Sequence, residues 1–266
     1  MKKIVLLIFI VVIAFPLAAQ NAEYYYMRGL IYLEKGDYDL AIADLSRAIS
    51  VNPYDAYYWT DRGSAYLAIN DLDKAIDDFN RVISINPQMP GAWYGRGVAY
   101  HAKGDLDRAI ADYNRAIALS PDEASYYSDR GNIYYETGDY DRAITDFSKA
   151  ITMDPNMEAA WIGRGDSYLA KGDNVKGIDD ISRAISLNPE MDSSWLARGY
   201  AYIEIGEIDK AISDINKAIS LNPYEPSAWF ARSSAYLAKG DYEQAIRDLD
   251  KSIELDPIGD DFTVTR

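Results

Sequence analysis

The chain has no cysteine and only one histidine, His101, in 266 residues. The first absence removes disulfide frameworks, thiolate nucleophiles and cysteine-ligated zinc or iron–sulfur centres. The second leaves no histidine pair for zinc, and no serine in a recognisable nucleophile motif lies around His101. Basic residues are also scarce. Lys and Arg number 27 against 42 Asp and Glu, a formal charge of -15 that becomes -17 if the first twenty residues, with Lys2 and Lys3, are lost. Such a surface repels a polyanion, so nucleic acid is not expected as a partner. The acidity suits a neutral or basic protein partner, or simply keeps a long surface soluble.

Phosphate-binding loops are missing too: Gly95 and Gly97, like Gly163 and Gly165, open no strand-to-helix turn. The stretch "DLDKAIDD" from Asp71 to Asp78 is acidic enough for calcium but lacks the central glycine and the twelfth-position glutamate of a calcium loop. No catalytic residue, cofactor or metal is expected.

Long apolar runs are absent except at the start, "MKKIVLLIFIVVIAFPLAAQ", where two lysines precede an apolar stretch ending in Pro16 and small residues. This predicts a secretory signal peptide over residues 1–19, since Ile4 to Ala19 is short for a span of about 20 residues. Cleavage after Ala19 puts Leu17 where a small residue is preferred, so an uncleaved inner-membrane anchor is the second reading. No cysteine follows for lipoprotein attachment. The expected location is the periplasm or outside the cell, in a bacterial setting.

What the chain does have is repetition. A 34-residue step superposes Pro53, Pro87, Pro121, Pro155, Pro189, Pro223 and Pro257. Seven copies fill residues 22–259, with bounds 22–55, 56–89, 90–123, 124–157, 158–191, 192–225 and 226–259, and residues 260–266 form a tail. Each copy reads as two helices around a turn such as "KGDYD". Gly36, Gly104, Gly138, Gly172, Gly206 and Gly240, with Asn70 in the second copy, mark a left-handed helix terminus. Asp37, Asp71, Asp105, Asp139, Asp173 and Asp241 follow as N-caps of the second helix, with Glu207 as the weaker substitute. Trp59, Trp93, Trp161, Trp195 and Trp229 share one slot of the first helix, where Tyr25 and Tyr127 replace them. Glycine and tyrosine follow at i+4 and i+7, the period of a buried helix face.

This order of tryptophan, glycine, tyrosine, alanine, aromatic, alanine and proline resembles the tetratricopeptide repeat family, over everything after the signal. The resemblance implies an all-α, right-handed α-α superhelix, in which first helices line a concave groove that binds peptides or protein segments without catalysis. Relatives that grip a terminal carboxylate do so with lysine, arginine and asparagine. The corresponding stripe here holds only Asn132 and no basic residue.

Apolar packing does not explain Arg28, Arg62, Arg96, Arg130, Arg164, Arg198 and Arg232, which lie in the first-helix stripe. Asp44, Asp78, Asp112, Asp146, Asp180, Asp214 and Asp248 occupy the matching slot of the second helix. An unpaired charge there costs several kcal/mol, so a ladder of seven Arg–Asp pairs is expected, within or between copies.

Function belongs where copies differ. The candidate groove residues are Tyr26, Tyr57, Tyr94, His101, Asn132, Tyr135, Asp166, Tyr200 and Phe230, with Asp61, Asp129, Glu136 and Glu204 nearby to favour a basic segment. A non-enzymatic scaffold for other proteins follows. The anchored form would organise an envelope complex, and a third reading gives the aromatic–acidic lining a glycan or small molecule to bind or hydrolyse.

Two departures need the structure. Gly177 replaces alanine inside a second helix, at a cost of about 1 kcal/mol, and reads as a hinge or as drift. The last helix is expected to expose a face softened by Asp248 and Ser252, through which the chain could weakly self-associate.

Overall fold

The computed structural model describes residues 21–257. The predicted signal peptide or anchor and the 260–266 tail lie outside the described residues. Among those residues there are fourteen α-helices and no strand. They are α1 Ala22–Lys35, α2 Tyr38–Val51, α3 Ala56–Ala68, α4 Leu72–Ile85, α5 Pro90–Ala102, α6 Leu106–Leu119, α7 Ala124–Glu136, α8 Tyr140–Met153, α9 Glu158–Ala170, α10 Asn174–Leu187, α11 Asp192–Glu204, α12 Ile208–Leu221, α13 Pro226–Lys239 and α14 Tyr242–Leu255. Odd numbers are the first helices of the repeats and even numbers the second. The helices group into two compact units that divide between Tyr126 and Tyr127. In each unit a second helix touches its own hairpin partner and the first helix of the next pair, as α4 touches α3 and α5, and α12 touches α11 and α13. This nearest-neighbour order defines a helical solenoid.

The turns have the predicted chemistry. The six turn glycines and Asn70 all have positive φ, from 60° to 83°. After α1, the Gly36 and Asp37 amides donate to the Leu33 and Tyr32 carbonyls at 3.0 and 2.9 Å, which closes the helix. The carboxylates of Asp71, Asp105, Asp139, Asp173 and Asp241 then accept the amide three residues on. Asp37 and Glu207 make no such bond.

Each arginine of the first helix meets the aspartate sixteen residues on. Arg62 donates from Nε and Nη2 to the two carboxylate oxygens of Asp78 at 2.8 and 2.7 Å, and Arg96, Arg130, Arg164, Arg198 and Arg232 repeat this with Asp112, Asp146, Asp180, Asp214 and Asp248. Arg28 does the same with Asp44. All seven aspartates are buried. The spare Nη1 reaches back to the second helix of the preceding repeat: Arg62 to Ser46 at 2.9 Å, Arg164 to Ser148 at 3.0 Å, Arg198 to Ser182 at 2.8 Å and Arg232 to Asn216 at 2.6 Å. One guanidinium thus fastens its own hairpin and the joint behind it. The indole ring one turn earlier covers its face, with the Arg62 guanidinium carbon 4.9 Å from the centre of the Trp59 ring.

The five indole N–H groups donate to the carbonyls of Pro53, Pro87, Pro155, Pro189 and Pro223 at 2.9–3.0 Å. Close packing also fixes particular glycines. A Cβ on Gly95 would stand 2.4 Å from the Phe79 ring, and one on Gly163 2.3 Å from Phe147. At Gly177 a Cβ would stand 2.3 Å from Leu169, whose side chain fills the space.

One expectation fails at α14. Asp248 and Ser252 do not soften its open face, because both are buried, 3% and 0% exposed. Their slots point at the hairpin partner: Asp248 binds Arg232, and Ser252 donates to the Pro226 carbonyl at 3.0 Å. The open face carries Tyr242, Ile246, Leu249 and Ile253 instead.

The pairing predicts an asymmetric cost. Asp180→Ala should lower the unfolding free energy by about 3–5 kcal/mol by stranding the Arg164 charge, and Arg164→Met with Asp180→Leu should restore most of it. Urea unfolding measures both. A loss under about 1 kcal/mol for Asp180→Ala would show that the pair is not structural.

Candidate functional site

Slots committed to arginine, glycine and alanine face inward, which leaves a second stripe on each first helix for other purposes. In the first unit this stripe is mostly tyrosine. The rings of Tyr26 on α1 and Tyr58 on α3 lie 4.7 Å apart, and the Tyr58 hydroxyl reaches Glu23 at 3.5 Å. Burial and a hydrogen bond to Asp61 hold the Tyr26 phenol well above the ordinary tyrosine range. Asp61 is itself raised by burial, against the pull of that bond. Tyr57 is 62% exposed. Tyr94 on α5 is half-buried, its ring 5.7 Å from Tyr113 and 4.6 Å from Tyr126. His101 is half-buried on the last turn of α5.

The second unit mixes its chemistry. Asn132 on α7 is half-buried, and Tyr135, one turn on, is 38% exposed with its ring 5.7 Å from Tyr140. Burial first, then the charge of Asp166, raises the Tyr135 phenol. Asp166 on α9 is half-buried and makes no hydrogen bond or ion pair among the described residues. Burial alone lifts its carboxyl to about 6. Tyr200 on α11 is 39% exposed and donates its hydroxyl to the Ser227 carbonyl at 3.2 Å. Phe230 is half-buried on α13.

The structure therefore brings Tyr26 to Asp61, Tyr94 to Tyr113, and Tyr135 to Asp166. Sequence reading missed Tyr58 and Tyr126, whose slot holds Tyr24 in the first repeat but alanine or serine at Ala92, Ala160, Ser194 and Ala228. That variation was the available signal. Among the described residues no three of His, Asp or Glu come together as a metal would need. A cavity of about 330 Å³ in the first unit lies at a turn, lined by Gly36, Asp37, Tyr38, Asp39, Leu40 and Ile69, none of them a candidate residue. The first-helix stripes offer aromatic surface, phenol hydroxyls and the unpaired carboxyl of Asp166, which suits docking of a chain segment.

These observations define an all-α solenoid of the kind that scaffolds protein interactions. A tetratricopeptide repeat model matches residues 26–90, 61–124 and 196–257, and a second matches residues 97–161. The chain belongs to the tetratricopeptide repeat family. A comparison with curated proteins finds no match. Among solved structures, MamA is 28% identical with a TM-score of 0.58, over 60% of this chain and 94% of that one. A tetratricopeptide repeat protein from Parabacteroides merdae ATCC 43184 is 21% identical with a TM-score of 0.67, over 89% and 94%. YrrB, described as a tetratricopeptide repeat protein with an unusual peptide-binding site, is 23% identical with a TM-score of 0.61, over 69% and 95%. The last two likenesses bear on the fold.

Asp166 generates a prediction with a definite sign. An unfolded carboxyl loses its proton near pH 4, the folded one near 6, so the native state holds the extra proton between them. Stability falls as pH rises through that window, and the cost is complete above it. Asp166→Asn should therefore stabilise the chain at pH 7.5 by on the order of 2 kcal/mol, allowing for water that still reaches the carboxyl, with the gain gone by about pH 4. Unfolding of both chains at the two pH values checks it.

Proposed function

We propose that this scaffold binds an extended segment of a neutral or basic protein on the first-helix faces of its units, without catalysis, in the periplasm or cell envelope. The observation that carries the reading is the contrast between stripes. Arginines and aspartates that recur in every repeat are consumed by architecture, whereas the adjoining stripe changes from Tyr26 to Tyr94, Asn132, Asp166, Tyr200 and Phe230. Tyrosine supplies large contact area with one polar tip at little entropic cost, which is why it anchors interfaces. The acidic surface would steer a basic segment. Affinity capture of envelope proteins on the processed chain, repeated with Tyr94, Tyr135 and Tyr200 changed to alanine, tests this. Captured protein should fall at least tenfold while helix content is unchanged. Equal capture would move recognition elsewhere.

A second reading is favoured by the apolar run of residues 4–15: the chain keeps its N-terminus and organises an envelope complex from the inner membrane. No described helix is long and apolar enough to cross a membrane, so that role would fall to this run. The two readings differ in mass. Mass spectrometry of the exported chain should find it starting at Gln20, and a full-length, membrane-associated chain would favour the anchor.

A further inference from the structure

The seven core aspartates are each met by an arginine, but Asp166 is not. Cations close to it in the sequence are already engaged. Arg164, two residues earlier on α9, is held by Asp180 and Ser148. Lys171 binds Asp141, and Lys176 binds Asp173 at 2.6 Å. Nor does the first unit duplicate this seat. The Asp166 slot holds Leu30, Ser64 and Val98 there, and the nearby Asp61 is hydrogen-bonded to Tyr26.

Around Asp166 the setting is amphipathic. Tyr135 on α7 is close enough to register its charge and keeps 38% of its surface open, beside Tyr140. Asn132 on α7 and Tyr200 on α11 occupy the Asp166 slot in the flanking repeats. A carboxylate next to an open aromatic ring seats a cation carried on an apolar stem, with the head on the oxygens and the stem along the ring. A metal ion would lack ligands, and an anion would be repelled. A free small amine would leave Asn132 unused, whereas a peptide supplies backbone groups for it.

We propose that Asp166 is the anchor for one lysine or arginine side chain of the segment docked on the second unit, with Tyr135 flanking its stem and Asn132 holding adjacent backbone. This rests on the docking function proposed above and names the chemistry it selects. The raised carboxyl of Asp166 agrees, since a half-buried charge without a partner is a cost that an arriving cation removes. The chain keeps that cost in its free state.

The test uses the processed full-length chain and four nonapeptide libraries, randomised at eight positions and fixed at the centre as lysine, arginine, norleucine or glutamate. Lysine and arginine libraries should be retained about tenfold better than norleucine, as expected of one charge-assisted hydrogen bond, and glutamate least. Asp166→Asn, which should fold at least as well, should erase the difference between lysine and norleucine. Asp61→Asn should not, and Asp166→Lys should favour the glutamate library. Persistence of the lysine preference in Asp166→Asn overturns the assignment. If wild type retains lysine and norleucine libraries equally, and Tyr135→Ala with Tyr200→Ala abolishes retention, the docking face stands and this anchor falls. If no library is retained, both fall.

Discussion

One guanidinium in each repeat joins the helices of this architecture with directional bonds. It is gripped edge-on by a buried carboxylate of its own hairpin, and at Arg62, Arg96, Arg164, Arg198 and Arg232 it also donates a third hydrogen bond to Ser46, Asn80, Ser148, Ser182 and Asn216 of the repeat before. In Arg62, Arg96, Arg164, Arg198 and Arg232 a tryptophan ring lies 4.8–5.0 Å from the guanidinium carbon as well. A lysine could not replace it, because a point charge cannot fill two parallel bonds, a third at an angle and an aromatic face together. The interaction is directional where apolar packing is not. It therefore fixes the register of one repeat on the next within each unit.

The other recurring devices end and join helices around that clamp. Left-handed glycine stops the first helix, aspartate caps the second, and the tryptophan N–H ties down the proline loop between repeats. Each is local, and each repeats at the same period, so stability accumulates along the chain as nearest-neighbour increments. Residues in these slots have no freedom left for recognition. The first-helix stripe that none of them uses is where variation is tolerated, and it holds the tyrosines, Asn132 and Asp166.

Much of this was legible because seven copies of one sequence act as mutual controls. An arginine and an aspartate present in every copy must serve the fold, and their separation of sixteen residues across a hairpin left few geometries. The turn chemistry was legible for the same reason, down to Asn70 in the left-handed position. The third guanidinium bond was not, since Ser46, Asn80, Ser148, Ser182 and Asn216 look like ordinary solvated positions until a helix of the next repeat approaches. In the sequence Gly177 shows only as a missing methyl. Only the placement of Leu169 shows it to be filled space. Asp248 and Ser252 were misassigned because polarity suggested exposure, although their slots point at the hairpin partner. At the candidate site, sequence identified which residues vary but not how they pair: Asp61 and Asp166 look alike, and only one of them has a tyrosine hydroxyl to bind.

The account turns on recognition falling to the stripe that architecture leaves unused. A photocrosslinking amino acid at position 200 on α11 and, separately, at position 179 on α10 measures this directly, since both sites are exposed but only the first lies on a first helix. The account predicts a covalent adduct with the captured partner from position 200 and none from position 179. An adduct from position 179 alone would contradict it.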